Sequence, residues 1–323
     1  MPVVLLLAAL ALGPGAAASS TPATVDTSAI ALASLPLRLR AVAVVVAQGD
    51  GRGQTLEPSG IAVDAFGRLI VADAALHRLQ RFEPDGRWLW EGGALGSDPG
   101  LLRRPGSVAM LGGLTVAVLD RENRRVEGYD LFGRRLGTRI DLLDPQLAER
   151  VGRVDPAALA ADRGGVLYVA DSDGERVLVF DSAGRFVRAV GGFGSRPGSF
   201  RGLSGLAAAP RGALVTAERI NARVQRFDAA GRVALTWPLA PGRGPGALAV
   251  AVDDSGRVAV ADEPSGGLWL FDADGRPLAT LTGLARPRAL AFAPDGTLLV
   301  AEAAHGEVRR FAIERAARPT REE

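Results

Sequence analysis

The sequence predicts an all-β protein, a six-bladed β-propeller of four-stranded antiparallel blades whose ring is closed by an N-terminal strand pairing with the last blade. Three observations carry this. An apolar segment ending in an acid recurs six times: LIVAD to Asp73, VAVLD to Asp120, LYVAD to Asp171, LVTAE to Glu218, VAVAD to Asp262 and LLVAE to Glu302. Nine residues after each acid stands an aromatic residue, Phe82, Tyr129, Phe180, Phe227, Phe271 or Phe311, in a chain that is only 5% aromatic. Successive acids lie between 51 residues apart (Asp120 to Asp171) and 40 (Asp262 to Glu302). That is room for four short strands, and such a period is the mark of propeller blades.

Each unit reads strand, turn, strand, hairpin, strand, turn, strand. An inner segment and a turn precede the acid, as in GIAVDAFGR and ALAFAPDG, and an acidic or small turn with Gly-Arg follows most of the aromatics, as in PDGRW and SAGRFV. The acid-bearing segments are nearly continuous apolar runs rather than alternating ones, which predicts strands covered on both faces by neighbouring blades. The sixth unit has three strands and then a polar tail. Its fourth strand is LRLRAVAVVVA, Leu37–Ala47, and closing the ring this way leaves no open edge to template pairing. The expected organisation is a signal peptide over 1–18, a leader over 19–36, the propeller over 37–313 and a polar tail over 314–323.

The segment GGFGSRPGSF, from Gly191, has a partial copy, GGALGSDPG, from Gly92. A phosphate-binding loop needs a lysine and a following helix, and neither is present. The repeat predicts a connector from outer to inner strand, with glycine supplying the positive φ angles of the bend. A longer connector, RIDLLDPQLAERVGRVDP, predicts a short helix over 145–151, either a cap on one channel mouth or an ordinary insertion.

The text of these units, RLIVADAALHRLQRFEPDG, VLYVADSDGERVLVFDSAG and ALVTAERINARVQRFDAAG, resembles the NHL-repeat family of propellers over roughly residues 37 to 313. The resemblance implies the fold; it does not imply one activity, because such propellers serve binding, scaffolding and several enzymatic reactions.

Composition narrows the classes. Of 323 residues, 47% are hydrophobic and 23% charged, as in ordinary globular domains. All 38 basic residues are arginine against 36 acids, a formal charge of +2, and the arginine pairs are interspersed with acids. A nucleic-acid face needs clustered positive charge, so no nucleic-acid partner is expected. MPVVLLLAALALGPGAAASS reads as a secretion signal, whose apolar run falls short of the roughly 20 residues that span a bilayer. The expected location is therefore extracytoplasmic, periplasmic or secreted, with no stable membrane insertion after cleavage. With no cysteine, disulfides and thiolate sites are excluded.

The candidate chemistry is sparse. Five residues after the acid, Arg78, Arg125, Arg176 and Arg223 are placed to pair with it across the hairpin as structural latches. In the last unit Glu302 faces Glu307 instead, a like-charge pair that calls for a cation, a nearby Arg309 or Arg310, or solvation. The two histidines, His77 and His305, fall in equivalent loops of neighbouring units. With Glu302 or Glu307 they make one conceivable divalent-metal set, and Asp64, Asp162 and Asp253, just past inner strands, make another. Turn stabilisation accounts for the three aspartates without a metal.

The leading reading is a monomeric, non-enzymatic binding or scaffold module for a protein, peptide or glycan, with no cofactor. Its loop-face residues are His77, Arg124, Arg196, Arg219, Glu263 and His305. The second reading is a metal-dependent lactonase or lyase with calcium or zinc in the channel.

Overall fold

A computed structural model describes residues 23–24, 35–240, 242 and 246–316. The signal segment expected over 1–18, most of the leader over 19–36 and most of the tail over 314–323 lie outside these residues. Blade one consists of Pro58–Val63, Leu69–Asp73, Arg78–Phe82 and Trp88–Gly92, hydrogen-bonded in that order from the channel outward. Blades two to five repeat the order from inner strands Pro105–Leu111, Pro156–Ala161, Leu203–Ala209 and Leu248–Val252. Each inner strand touches the next, and the inner strand of blade six, Pro287–Phe292, touches that of blade one.

Blade six joins the first and last strands of the ring. Its outer strand is Leu37–Gln48, which lies antiparallel to Glu307–Arg315, with Leu37 opposite Arg315 and Val46 opposite Val308. The closure read from the sequence is the one found. The third strand runs on to Arg315, where Glu314 pairs with Arg38 at 2.9 Å and Arg40 at 2.7 Å.

The acid-bearing strands are buried along their whole length because each blade boundary carries its own apolar core. Leu167 and Val169 enter the core shared with blade two, while Tyr168 and Ala170, on the other face of the same strand, enter the core shared with blade four. A strand with two buried faces has no polar face to alternate with, which is why these segments read as unbroken apolar runs. The repeated aromatics all fill the boundary with the preceding blade: Phe82, Tyr129, Phe180, Phe227, Phe271 and Phe311 each sit in a different core. Helix α1, Pro145–Val151, is capped by Asp144 and buries Leu147 in the core between blades two and three. It is an insertion at that boundary and does not line the channel.

The ring has two faces. The hairpin face carries the loops between second and third strands together with the connectors between blades; the turn face carries the two tight turns of each blade. Among the described residues no helix is long and apolar enough to cross a membrane.

Candidate functional site

The glycine-rich connectors are shaped around a guanidinium. Arg223 donates to the carbonyls of Ser195, Arg196 and Ser199 at 2.7–3.0 Å, and Arg125 to those of Ser97, Asp98 and Leu101 at 2.7–3.3 Å. Carbonyls, not amides, converge here, the opposite of a phosphate cradle. Glycine is needed because the bend is tight: at Gly191, with φ +88°, a Cβ would stand 2.1 Å from the Phe200 ring.

The latches form in three of the four predicted units. Arg125 reaches Asp120, Arg176 reaches Asp171 and Arg223 reaches Glu218, each at 2.8 Å. Arg78 does not pair with Asp73. The Asp73 oxygens are taken by the amides of Leu56, Glu57, Ala75 and Leu76, and Arg78 spends its donors on Asp50, Gly51, Gln54 and Glu91. In blade six Glu302 and Glu307 do face each other, and the guanidinium of Arg309 reaches Glu302 at 3.0 Å.

The metal candidates are occupied by local duties or lie apart. Nδ1 of His77 accepts the backbone N–H of Arg104, and Nδ1 of exposed His305 lies 3.5 Å from Glu302. Asp64, Asp162 and Asp253 are on the turn face, away from both histidines. Asp64 binds the amides of Phe66 and Arg68 and pairs with buried Arg81; Asp162 accepts from Val166 N–H and the Tyr168 hydroxyl; Asp253 holds Ser255 and Arg257. Burial first, and the Asp162 charge second, push the Tyr168 phenol up to about 12. Among the described residues no group of three or more His, Cys, Asp or Glu could hold a metal ion.

Of the six loop-face candidates, Glu263 alone lines the channel. Arg196 is exposed on a connector, Arg124 sits at a hairpin position with φ 50°, and Arg219 ties the carbonyls of Gly242, Gly246 and Ala247 to Asp262. His77 and His305 share this face but do not reach the channel wall.

Glu263 belongs to a chain of charges that arcs around the mouth. It accepts from Arg286 at 2.6 Å and from Arg288 at 2.9 Å; Arg288 also binds Glu57, and Glu57 accepts from Arg104 at 2.8 Å. Burial raises the Glu263 carboxyl, but the hydrogen bond from Arg286 and the charge of Arg288 outweigh it and hold the group below the usual carboxylate range. Two of these arginines stand in strained backbone: φ is 46° at Arg104 and 55° at Arg286, where blade four has Gly202 at 73°. Left-handed non-glycine residues cost roughly 1 kcal/mol each, and such strain concentrates at functional sites. The sixth charge is Arg121, exposed at the mouth, whose side chain meets no carboxylate or carbonyl among the described residues.

Below this rim the channel narrows to a neck of about 170 Å³ walled by Ser59, Ser107, Ala157, Ser204 and Leu248. Neighbouring inner strands press together there: a Cβ on Gly60 would lie 2.2 Å from the Gly106 carbonyl, and one on Gly205 would lie 2.6 Å from Val250. Sequence reasoning missed Glu57, Arg104, Arg121, Arg286 and Arg288. The available signal was position, because Glu57, Arg104 and Arg286 all immediately precede the Pro that opens an inner strand.

No family model matches the chain. It is 28% identical over 144 residues to the protein Brain tumor of Drosophila melanogaster, 43% of this chain but only 13% of that protein's length. Among solved structures it is similar to virginiamycin B lyase from Staphylococcus aureus, with a TM-score of 0.61 and 11% identity over 85% of this chain and 99% of the other. It is also similar to the calcium-binding protein regucalcin from Agrobacterium tumefaciens, with a TM-score of 0.59 and 15% identity over 87% and 96%. At these identities the two structures speak for the fold alone. With six four-stranded blades in a closed ring, the chain is a six-bladed β-propeller, and its similarity to Brain tumor is consistent with repeats of the NHL type.

Proposed function

We propose that the chain is an exported, monomeric binding module that takes an acidic segment of a protein or peptide at the hairpin-face mouth of its channel. The observation that carries this reading is Arg121, an exposed guanidinium on the rim with no partner among the described residues, beside an arc in which Arg104, Arg286 and Arg288 are taken by Glu57, Glu122 and Glu263. An exposed guanidinium over a narrow neck suits a side chain or chain end bearing a carboxylate, since arginine pairs carboxylates in fork geometry. Recognition through loops on a rigid scaffold is the ordinary use of such a face. A metal-dependent lactonase or lyase in the channel would require converging carboxylates or imidazoles, and this rim instead pairs its acids with arginines.

Fluorescence polarisation with labelled Glu-rich and Gly-Ser peptides tests the reading. The acidic peptide is expected to bind, more weakly as salt rises, and Arg121→Glu to weaken it by about tenfold or more, a change of at least ~1.4 kcal/mol. Equal binding of both peptides, or no effect of Arg121→Glu, would overturn it. Stoichiometric calcium or zinc in the purified protein, with an activity lost to chelator, would replace it by the enzymatic reading. Recovery of the full chain from the cytoplasmic fraction would overturn export.

A further inference from the structure

We propose a second binding site, on the turn face, for a small amphiphilic anion: an apolar body bearing one acidic group that seats on Arg211. The inference is independent of the hairpin-face reading. On this face the channel holds a chamber of about 930 Å³. Small apolar side chains line part of its wall, Ala62, Val108, Met110, Ala161, Ala208 and Val252 among them. A chamber of this size lined by small apolar side chains, with a few polar groups at one end, has the dimensions and chemistry of a small-molecule pocket.

The polar groups at the rim select the charge of the ligand. Asp253 is paired with Arg257, and Asp254 with Arg163 at 2.5 Å. That second pair runs from blade three to blade five, across the front of the blade-four turn. Asp162 is consumed by the Val166 amide and the Tyr168 hydroxyl. Arg211 is exposed, lines the chamber and meets no partner among the described residues, so it is the free charge of the rim.

The backbone at Arg211 points the same way. It sits at φ 64°, ψ 30°, the first of two consecutive left-handed residues in the turn Pro210–Ala213, the second being Gly212 at φ 72°. Blade two makes the equivalent turn with Gly112 and Gly113, the residues such a tight turn favours. Blade four thus holds an arginine where glycine fits with less strain. A residue kept against its backbone preference, at the edge of a pocket and without a partner in the fold, is explained by a ligand.

The test uses the full chain and two probes: 8-anilinonaphthalene-1-sulfonate, an apolar aromatic anion, and N-phenyl-1-naphthylamine, its uncharged analogue. The anion is expected to bind saturably with one site and enhanced fluorescence. Arg211→Gly, which suits the turn and is expected to melt no lower than the parent, should weaken the anion by about tenfold, the loss of one charge-assisted contact, and leave the neutral probe unchanged. Ala65→Trp, an exposed lining position, should fill the mouth and abolish binding of both. The proposal is overturned if the anion does not saturate, if Arg211→Gly binds both probes as the parent does, or if Ala65→Trp leaves binding intact, which would place the site elsewhere.

Discussion

Arg219 of blade four donates to the carboxylate of Asp262 in blade five, an acid with no exposed surface. In blades two, three and four the corresponding acid is held by an arginine of its own hairpin, Arg125, Arg176 or Arg223. Blade five has Gly267 at that position and takes its cation from the neighbour. The same arginine gathers three carbonyls of the connector, so one side chain links two blades and the segment between them.

Arg219→Ala is therefore expected to destabilise the protein by about 3 kcal/mol, since it leaves a buried carboxylate without its counter-charge. Arg163→Ala breaks a pair whose side chains are 86% and 85% exposed, and should change stability by less than about 0.5 kcal/mol. Urea unfolding at neutral pH compares the two, and equal losses would contradict the assignment.

Gly60→Ala tests the neck. The added methyl meets the Gly106 carbonyl, which belongs to the inner strand of the next blade and has little room to retreat, so the expected cost is about 2–3 kcal/mol. Gly283→Ala is the control: nothing lies within 4 Å, and only its φ of +83° opposes the change, for about 1 kcal/mol. The two melting temperatures should rank in that order.

Removing Leu37–Gln48 should abolish soluble, cooperative folding. The deletion strips the outer strand from blade six, exposes the edge of Glu307–Arg315 and uncovers the core into which Val45 and Val46 pack. A soluble monomer with a single sharp melting transition would show that the ring does not depend on this strand.

The pH dependence of stability should carry the signature of Glu263. Its folded carboxyl lies below the usual range, so its contribution is complete above about pH 5 and fades as pH falls through the lowered folded value. The stability lost in Glu263→Gln is then greatest near neutrality and shrinks on acidification. A difference between the two proteins that stays constant from pH 7 to pH 3 would contradict this.

The repeat was legible because it reports local chemistry. Phe82 and its five counterparts occupy one fixed offset, since each must fill the boundary with the preceding blade, and the acids recur because each accepts from backbone amides of the connector leading to the inner strand, as Asp171 does from Asp155 N–H and Asp262 from Gly242 N–H. The failed latch at Arg78 shows the limit of that logic. Pairing register placed it opposite Asp73, but which acceptors it took was decided by Asp50, Gly51 and Gln54, in a connector whose path no periodicity encodes.

The mouth was harder to foresee for the same reason. Glu57 and Arg288 stand 231 residues apart in the chain and meet only because the ring closes. By itself the sequence determined the blade count, the strand order and the partner of the last blade, because hydrophobic periodicity and turn residues act over a few positions. Only the tertiary structure decided which charges meet at the rim, which arginines remain free and how far the channel opens toward each face. Those depend on distances between blades, and such distances are set by packing around the whole ring.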